Sequence, residues 1–241
     1  MVRSFPNVAV VLAGGLGTRL RASIADRPKV LAQAAGRPFL DYVLEYLARQ
    51  GVREVILCVS YLAEQVKAFA GDGQRWGLVV RYSEERTPLG TGGALRQASV
   101  GLSRPFFALN GDTLFKIDLR KLWEAHTRLD ALATVAILRT AEGRVRGCVK
   151  LDPDGKIVSF DEKPEQAQES LVSGGVYVLE RQALAKILPE QSASLERQVF
   201  PRLAAEGQLA GLVCSAYFAD IGTPESLSAF EQDVFSGMLK R

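Results

Sequence analysis

Short apolar runs alternate with helix-period segments through the first half of this chain, and that alternation limits the folds open to it. Residues 8–12, 55–59, 78–82, 106–109 and 133–138 read as strands. Residues 38–50 read as a helix, with Phe39, Leu40, Val43, Leu44 and Leu47 on one face and Gly51 just past its end. Leu62, Val66 and Phe69 mark a second helical stripe. Leu119, Leu122 and Trp123 mark a third, ending at His126. This βαβα order predicts an α/β fold with a Rossmann-like, doubly wound, mostly parallel sheet and right-handed crossovers.

After Leu138 the texture changes. Residues 148–151, the turn Asp152-Pro153-Asp154-Gly155, and residues 157–160 and 172–179 read as antiparallel strands. Helical segments at 181–188 and 195–205, a strand at 209–219 and a helix at 224–235 complete the chain. The expected organisation is one domain over 1–241, in which 139–241 adds a small antiparallel lid region and a C-terminal helix to the 1–138 half. No repeat or hexapeptide array is visible.

The first strand runs straight into Leu12-Ala13-Gly14-Gly15-Leu16-Gly17-Thr18-Arg19-Leu20, with Pro28-Lys29 soon after. In open α/β sheets ligands bind beyond the carboxyl ends of the strands, where this loop lies. Gly14, Gly15 and Gly17 let backbone N–H groups turn toward a phosphate, and Arg19 and Lys29 can neutralise it. No register gives the Lys-Ser/Thr of a Walker A loop. The dinucleotide fingerprint fails as well, because Leu20 stands where its third small residue belongs. A tight connection with incidental arginines is the plainer alternative.

Composition removes other classes. A chain of 241 residues buries about 70–75% of its unfolded surface, so no disulfide or metal staple is required. Net charge is +3 without a basic run, which argues against a nucleic-acid or membrane-surface partner. Cys58, Cys148 and Cys214 are scattered and odd in number, as small buried hydrophobes in a reducing compartment. One histidine, His126, excludes a His-dependent triad or zinc site and reads as packing or solvated. With no signal-peptide core and no bilayer-length apolar run, a cytoplasmic location is expected.

The longer pattern Gly15-Leu16-Gly17-Thr18-Arg19-Leu20 with Pro28-Lys29 resembles the signature of the sugar-1-phosphate nucleotidylyltransferases. The resemblance continues, in the family's order, through Pro88-Leu89-Gly90-Thr91-Gly92-Gly93-Ala94-Leu95, Asn110-Gly111-Asp112, Phe160-Asp161-Glu162-Lys163-Pro164 and Asp220-Ile221-Gly222-Thr223-Pro224. Arg37-Pro38-Phe39-Leu40-Asp41-Tyr42 and Asp220-Ile221-Gly222 are most similar to the D-glycero-D-manno-heptose 1-phosphate guanylyltransferases, with the mannose-1-phosphate enzymes close behind. The family's fold is a GT-A-like nucleotide-diphospho-sugar transferase fold. It makes 1–138 the nucleotide-binding half and 139–241 the sugar-phosphate half.

The resemblance gives roles to residues. The nucleotide would be held by Leu12, Ala13, Gly14, Gly15, Gly17, Thr18, Arg19 and Lys29, with Gly90, Thr91 and Gly92 at base and ribose. Lys163 would bind the phosphate of the sugar phosphate, and Glu162 the sugar hydroxyls, with Gly147, Gly174 and Gly175 lining the sugar. A solvated Glu-Lys pair and a plain Asn-Gly turn are the alternatives for those two blocks. Asp112 and Asp220 each fall at the carboxyl end of a predicted strand, and two such carboxylates suit Mg²⁺. Arg146 stands where an aromatic usually precedes Gly147, and Ser173 where Asn usually precedes the glycine pair, so the sugar stays open.

The implied reaction joins a nucleoside triphosphate to a sugar 1-phosphate, giving a nucleotide sugar and pyrophosphate. A phosphate oxygen is already a nucleophile, so a chain with one His suffices. Arg19, Lys29 and Asp112 are the expected catalytic residues, acting through position and charge. Small-molecule substrates are the expected partners, and the chain is expected to be a monomer or a homo-oligomer. A glycosyltransferase of related fold and a non-catalytic regulatory homologue are the rivals.

Overall fold

The computed structural model describes residues 4–15, 26–140, 147–162 and 170–240. In chain order the strands are β1 (Val8–Leu12), β2 (Gln33–Ala34), β3 (Arg37–Pro38), β4 (Glu54–Val59), β5 (Val79–Glu84), β6 (Phe106–Asn110), β7 (Thr113–Phe115), β8 (Ala133–Thr140), β9 (Cys148–Leu151), β10 (Ile157–Asp161), β11 (Ser170–Leu179), β12 (Leu209–Val213) and β13 (Phe218–Asp220). The helices are α1 (Phe39–Arg49), α2 (Ala63–Ala70), α3 (Gly90–Ala98), α4 (Leu119–Leu129), α5 (Phe200–Ala205) and α6 (Pro224–Phe235).

One nine-stranded sheet runs through the molecule. Its first half is parallel, in the order β5-β4-β1-β6. The long β11 then lies antiparallel to β6. One edge of β11 carries β8, itself parallel to β12, while the other passes from β6 to the β9–β10 hairpin. The antiparallel strands expected as a lid are thus part of the same sheet.

Both faces of this sheet are covered, and the period of two along a strand explains how. Ala9, Val10 and Val11 of β1 are all fully buried. Ala9 and Val11 join the core made with α1, α2, α4 and α6, whereas Val10 joins the core made with α3 and α5.

Three segments depart from expectation. The apolar stretch 209–219 is two strands: β12 leaves the sheet edge after Cys214, whose N–H bonds Ile137, and β13 pairs antiparallel with β7 instead. Residues 181–188 make only a 3-10 turn, Arg181–Leu184. Within 195–205, Pro201 has no N–H to carry a regular ladder back, and Leu195–Val199 is a π turn ahead of α5. His126 does not end its helix, which runs on to Leu129. The ring is fully buried, stacked on Trp123 and 2.9 Å from Thr134 Oγ1 through Nδ1. Among the described residues no helix is long and apolar enough to cross a membrane.

Candidate active site

The site forms where β1, β4 and β6 end. Beyond Leu12 the chain turns over β4, with Ala13 N–H donating to Cys58 O at 2.9 Å. A Cβ on Gly14 would lie 3.0 Å from Glu85 Oε1 and 3.1 Å from Ser60 Cβ, a tight approach that glycine eases. Gly111 does the same for β6. Its N–H donates to Leu12 O at 3.0 Å, and a Cβ there would stand 2.6 Å from that oxygen. Asn110-Gly111 therefore closes one strand end onto another and aims Asp112 at the glycine loop.

Asp112 is fixed from two sides. Its carbonyl accepts from Ile221 N at 3.0 Å, and β7 pairs with β13 so that Thr113 faces Asp220. The two aspartates expected to act together therefore occupy neighbouring positions, although they lie far apart in sequence. Asp220 Oδ1 accepts from Gly222 N at 3.0 Å. On the other side Lys29 opens a 3-10 turn anchored by buried Val30 and Leu31. Its Nζ lies 2.5 Å from Asp112 Oδ2, with the Lys29 side chain only 10% exposed.

Lys29 and Asp112 share a pocket of about 350 Å³, to whose lining Asp220 does not contribute. Leu12, Gly14, Gly15, Lys29, Asn110 and Asp112 line one part, and Gly90, Thr91 and Pro88 another. Two expected nucleotide residues lie outside the lining. Ala13 is buried, and Gly92 packs on Ala193, its N–H donating to Ala193 O at 2.8 Å. The hydroxyl of Thr91 is engaged as well, donating to Glu196 Oε2 at 2.8 Å. Leu16, Gly17, Thr18, Arg19 and Lys163 lie outside the described residues.

Two pocket residues escaped the sequence reading. Ser60 and Glu85 line the same pocket, both beside Gly14. Glu85 Oε2 accepts from Leu89 N at 2.9 Å, and no cation pairs with the carboxylate among the described residues. Burial pushes its carboxyl above the usual range, and the Leu89 N–H only partly opposes this.

The sugar-side residues gather around β11, where it passes from β6 to β9. Gly175, at φ +72°, lies under Asn110, and a Cβ on Gly174 would collide with Phe115 at 2.3 Å. Gly147 meets Ser173, whose N–H donates to Gly147 O at 2.8 Å. Among the described residues the buried Asn110 Oδ1 above them has no hydrogen-bond partner. Glu162 accepts at Oε2 from Arg197 Nε at 2.6 Å. Arg197 is a second group the sequence reading passed over.

The oxygen donors of Asp112 and Asp220 fit Mg²⁺, which takes one or two carboxylates and completes its shell with phosphate and water. Among the described residues no group of three or more His, Cys, Asp or Glu gathers, so substrate oxygens would have to complete that shell.

Gly14, Gly15, Lys29 and Asp112 line one pocket at the ends of β1 and β6, and the chain belongs to the nucleotidyl transferase family, whose profile matches residues 8–236. Its relatives narrow the class. It is 36% identical to the D-glycero-alpha-D-manno-heptose 1-phosphate guanylyltransferase of Campylobacter jejuni, over 92% of this chain and 97% of that one. It is 37% identical to the mannose-1-phosphate guanylyltransferase of Mycobacterium tuberculosis, over 95% of this chain but 65% of that longer protein. The crystal structure of HddC from Yersinia pseudotuberculosis, also solved in complex with GMP-PN, superposes with a TM-score of 0.83 at 31% identity, covering 95% of this chain and 99% of the other.

Proposed function

We propose that the chain transfers a guanylyl group from GTP to a sugar 1-phosphate, a D-glycero-D-manno-heptose 1-phosphate or mannose 1-phosphate, with release of pyrophosphate. The observation that carries this reading is the single pocket that joins the glycine loop and the Lys29–Asp112 pair to Glu85. Relatives named as guanylyltransferases support the same base.

In the proposed step an oxygen of the sugar phosphate attacks the α-phosphorus of GTP. The bond from that phosphorus to the β-phosphate oxygen breaks, and pyrophosphate carries the electron pair away. The barrier is electrostatic, since two polyanions must meet. Lys29 offsets charge at the α-phosphate, and the backbone of Gly14 and Gly15 faces the phosphate chain. Arg19 is assigned to the leaving pyrophosphate and Lys163 to the sugar phosphate, as the family resemblance implies. Arg197, held on Glu162, adds positive charge on the sugar side. Asp112 and Asp220 would hold Mg²⁺, which supplies positive charge between the two phosphates when bound.

Glu85 supports guanine on chemical grounds. A carboxylate accepts two hydrogen bonds side by side, and guanine alone among the common bases presents two adjacent donors, N1–H and the N2 amine. Adenine, cytosine, uracil and thymine each set an acceptor beside the donor. A part-buried carboxylate facing an acceptor would lose its partner and reject those bases.

Pyrophosphate release with Mg²⁺ tests the proposal, in a matrix of five nucleoside triphosphates against several sugar 1-phosphates. Release confined to GTP with one of the named sugars supports it. Binding of nucleotide without release from any pair would favour a regulatory homologue.

A further inference from the structure

The glycine-rich entry to α3 does more than face the nucleotide. The segment 191–196 lies on its first turn at distances only glycine permits. A Cβ on Gly90 would come within 2.6 Å of Ala193 O, and one on Gly93 within 2.5 Å of Gln191 O. Ala193 N donates to Leu89 O, and Gly92 N to Ala193 O, both at 2.8 Å.

Side chains complete the joint. Thr91 Oγ1 donates to Glu196 Oε2 and accepts from Leu195 N, both at 2.8 Å. Ser194 Oγ donates to the same Glu196 oxygen at 2.9 Å and accepts from Arg197 N at 3.2 Å. The next residue, Arg197, reaches Glu162 on the sugar side. The joint thus has the nucleotide pocket at one end, through Gly90 and Thr91, and the Arg197–Glu162 pair at the other.

We propose that Thr91 and Glu196 form a clasp that positions Arg197 and Glu162, making Glu196 a positioning residue that couples the nucleotide end of the site to the sugar-phosphate end. The proposal rests on the two-substrate reading above. A satisfied polar network of this kind holds one arrangement, and losing the shared acceptor leaves two hydroxyls and the π turn without their anchor. Arg197 then samples positions off the sugar phosphate, while in the nucleotide pocket only the Thr91 hydroxyl loses its partner, Glu196 itself lying outside the lining.

The test compares wild type, Glu196→Ala and Glu196→Gln, using GTP and whichever sugar 1-phosphate wild type accepts. Glu196→Ala is expected to raise KM for the sugar 1-phosphate about tenfold or more, the loss of a charge-assisted hydrogen bond. Calorimetric Kd for GTP alone should change less than about twofold on the same scale. Glu196→Gln, which keeps an acceptor for Thr91 and Ser194, restores most of the sugar-phosphate KM. Ser194→Ala, which removes one of the two hydroxyls, gives a smaller rise in the same KM and serves if Glu196→Ala does not fold. A lowered Tm with both substrate constants unchanged overturns the clasp while leaving the functional reading intact. A wild-type chain that releases no pyrophosphate with any pair overturns both.

Discussion

Lys29 Nζ lies 2.5 Å from Asp112 Oδ2, joining residues 83 positions apart in the lining of one pocket. The two charges offset one another, and on the proposed reading both members act where the two phosphates meet. Lys29→Met and Asp112→Asn should each lower turnover on the order of 10²-fold or more. The double variant should lose less than the product of the two, since the residues act as a unit. Steady-state kinetics on variants with native circular dichroism checks this, and near-wild-type turnover in either single variant contradicts it.

Glu85 should set the base. Inosine triphosphate keeps the N1–H of guanine but lacks the N2 amine, so it offers the carboxylate one donor in place of two. It should lose about tenfold or more in kcat/KM relative to GTP in wild type, the value of one hydrogen bond to a charged group. In Glu85→Gln that preference should shrink. An undiminished preference for GTP in the variant would remove Glu85 from base selection.

The same carboxylate should cost stability. Burial raises its pKa in the folded chain, so folding favours the protonated acid. The contribution is present in full below the unfolded pKa and is lost as pH rises through the folded one. Glu85→Gln should therefore melt higher than wild type near neutral pH, with the gap closing as pH falls through the carboxylate range. Thermal melts across that range give the answer, and a gap that widens toward acid would reverse the sign.

Gly111→Ala should destabilise the fold and disable the site together. The added Cβ would stand 2.6 Å from Leu12 O, and forcing the strand ends apart costs about 1–3 kcal/mol and moves Asp112. Urea unfolding measures the first effect and turnover the second. Wild-type stability would mean that β6 can shift at no cost.

Much of this was legible in the sequence where local pattern decides structure. β1, β9 and α6 have the bounds that hydrophobic period and turn residues predict. Glycine spacing singled out Gly14 and Gly15, and Asn110-Gly111-Asp112 the aspartate, and these residues line one pocket. What escaped depends on contacts between distant segments. The stretch 209–219 is apolar throughout, and only its partners β8 and β7 decide where it divides. Glu85 belongs to no motif in the sequence, yet it turns into the pocket, while its neighbour Glu84 pairs with Lys67. Arg197 falls in the 195–205 segment expected as a helix, and the π turn places it at Glu162, 35 residues away. The glycines at 90, 92 and 93 suggested backbone facing a base, and two of the three also make room for the chain at 191–193.

The central claim is guanylyl transfer to a sugar 1-phosphate, and pyrophosphate release across the matrix of nucleoside triphosphates and sugar 1-phosphates tests it most directly. Release that requires Mg²⁺, GTP and a heptose or mannose 1-phosphate together is the predicted result. Release with another base at equal efficiency, or none with any pair from a chain that still binds nucleotide, would contradict it.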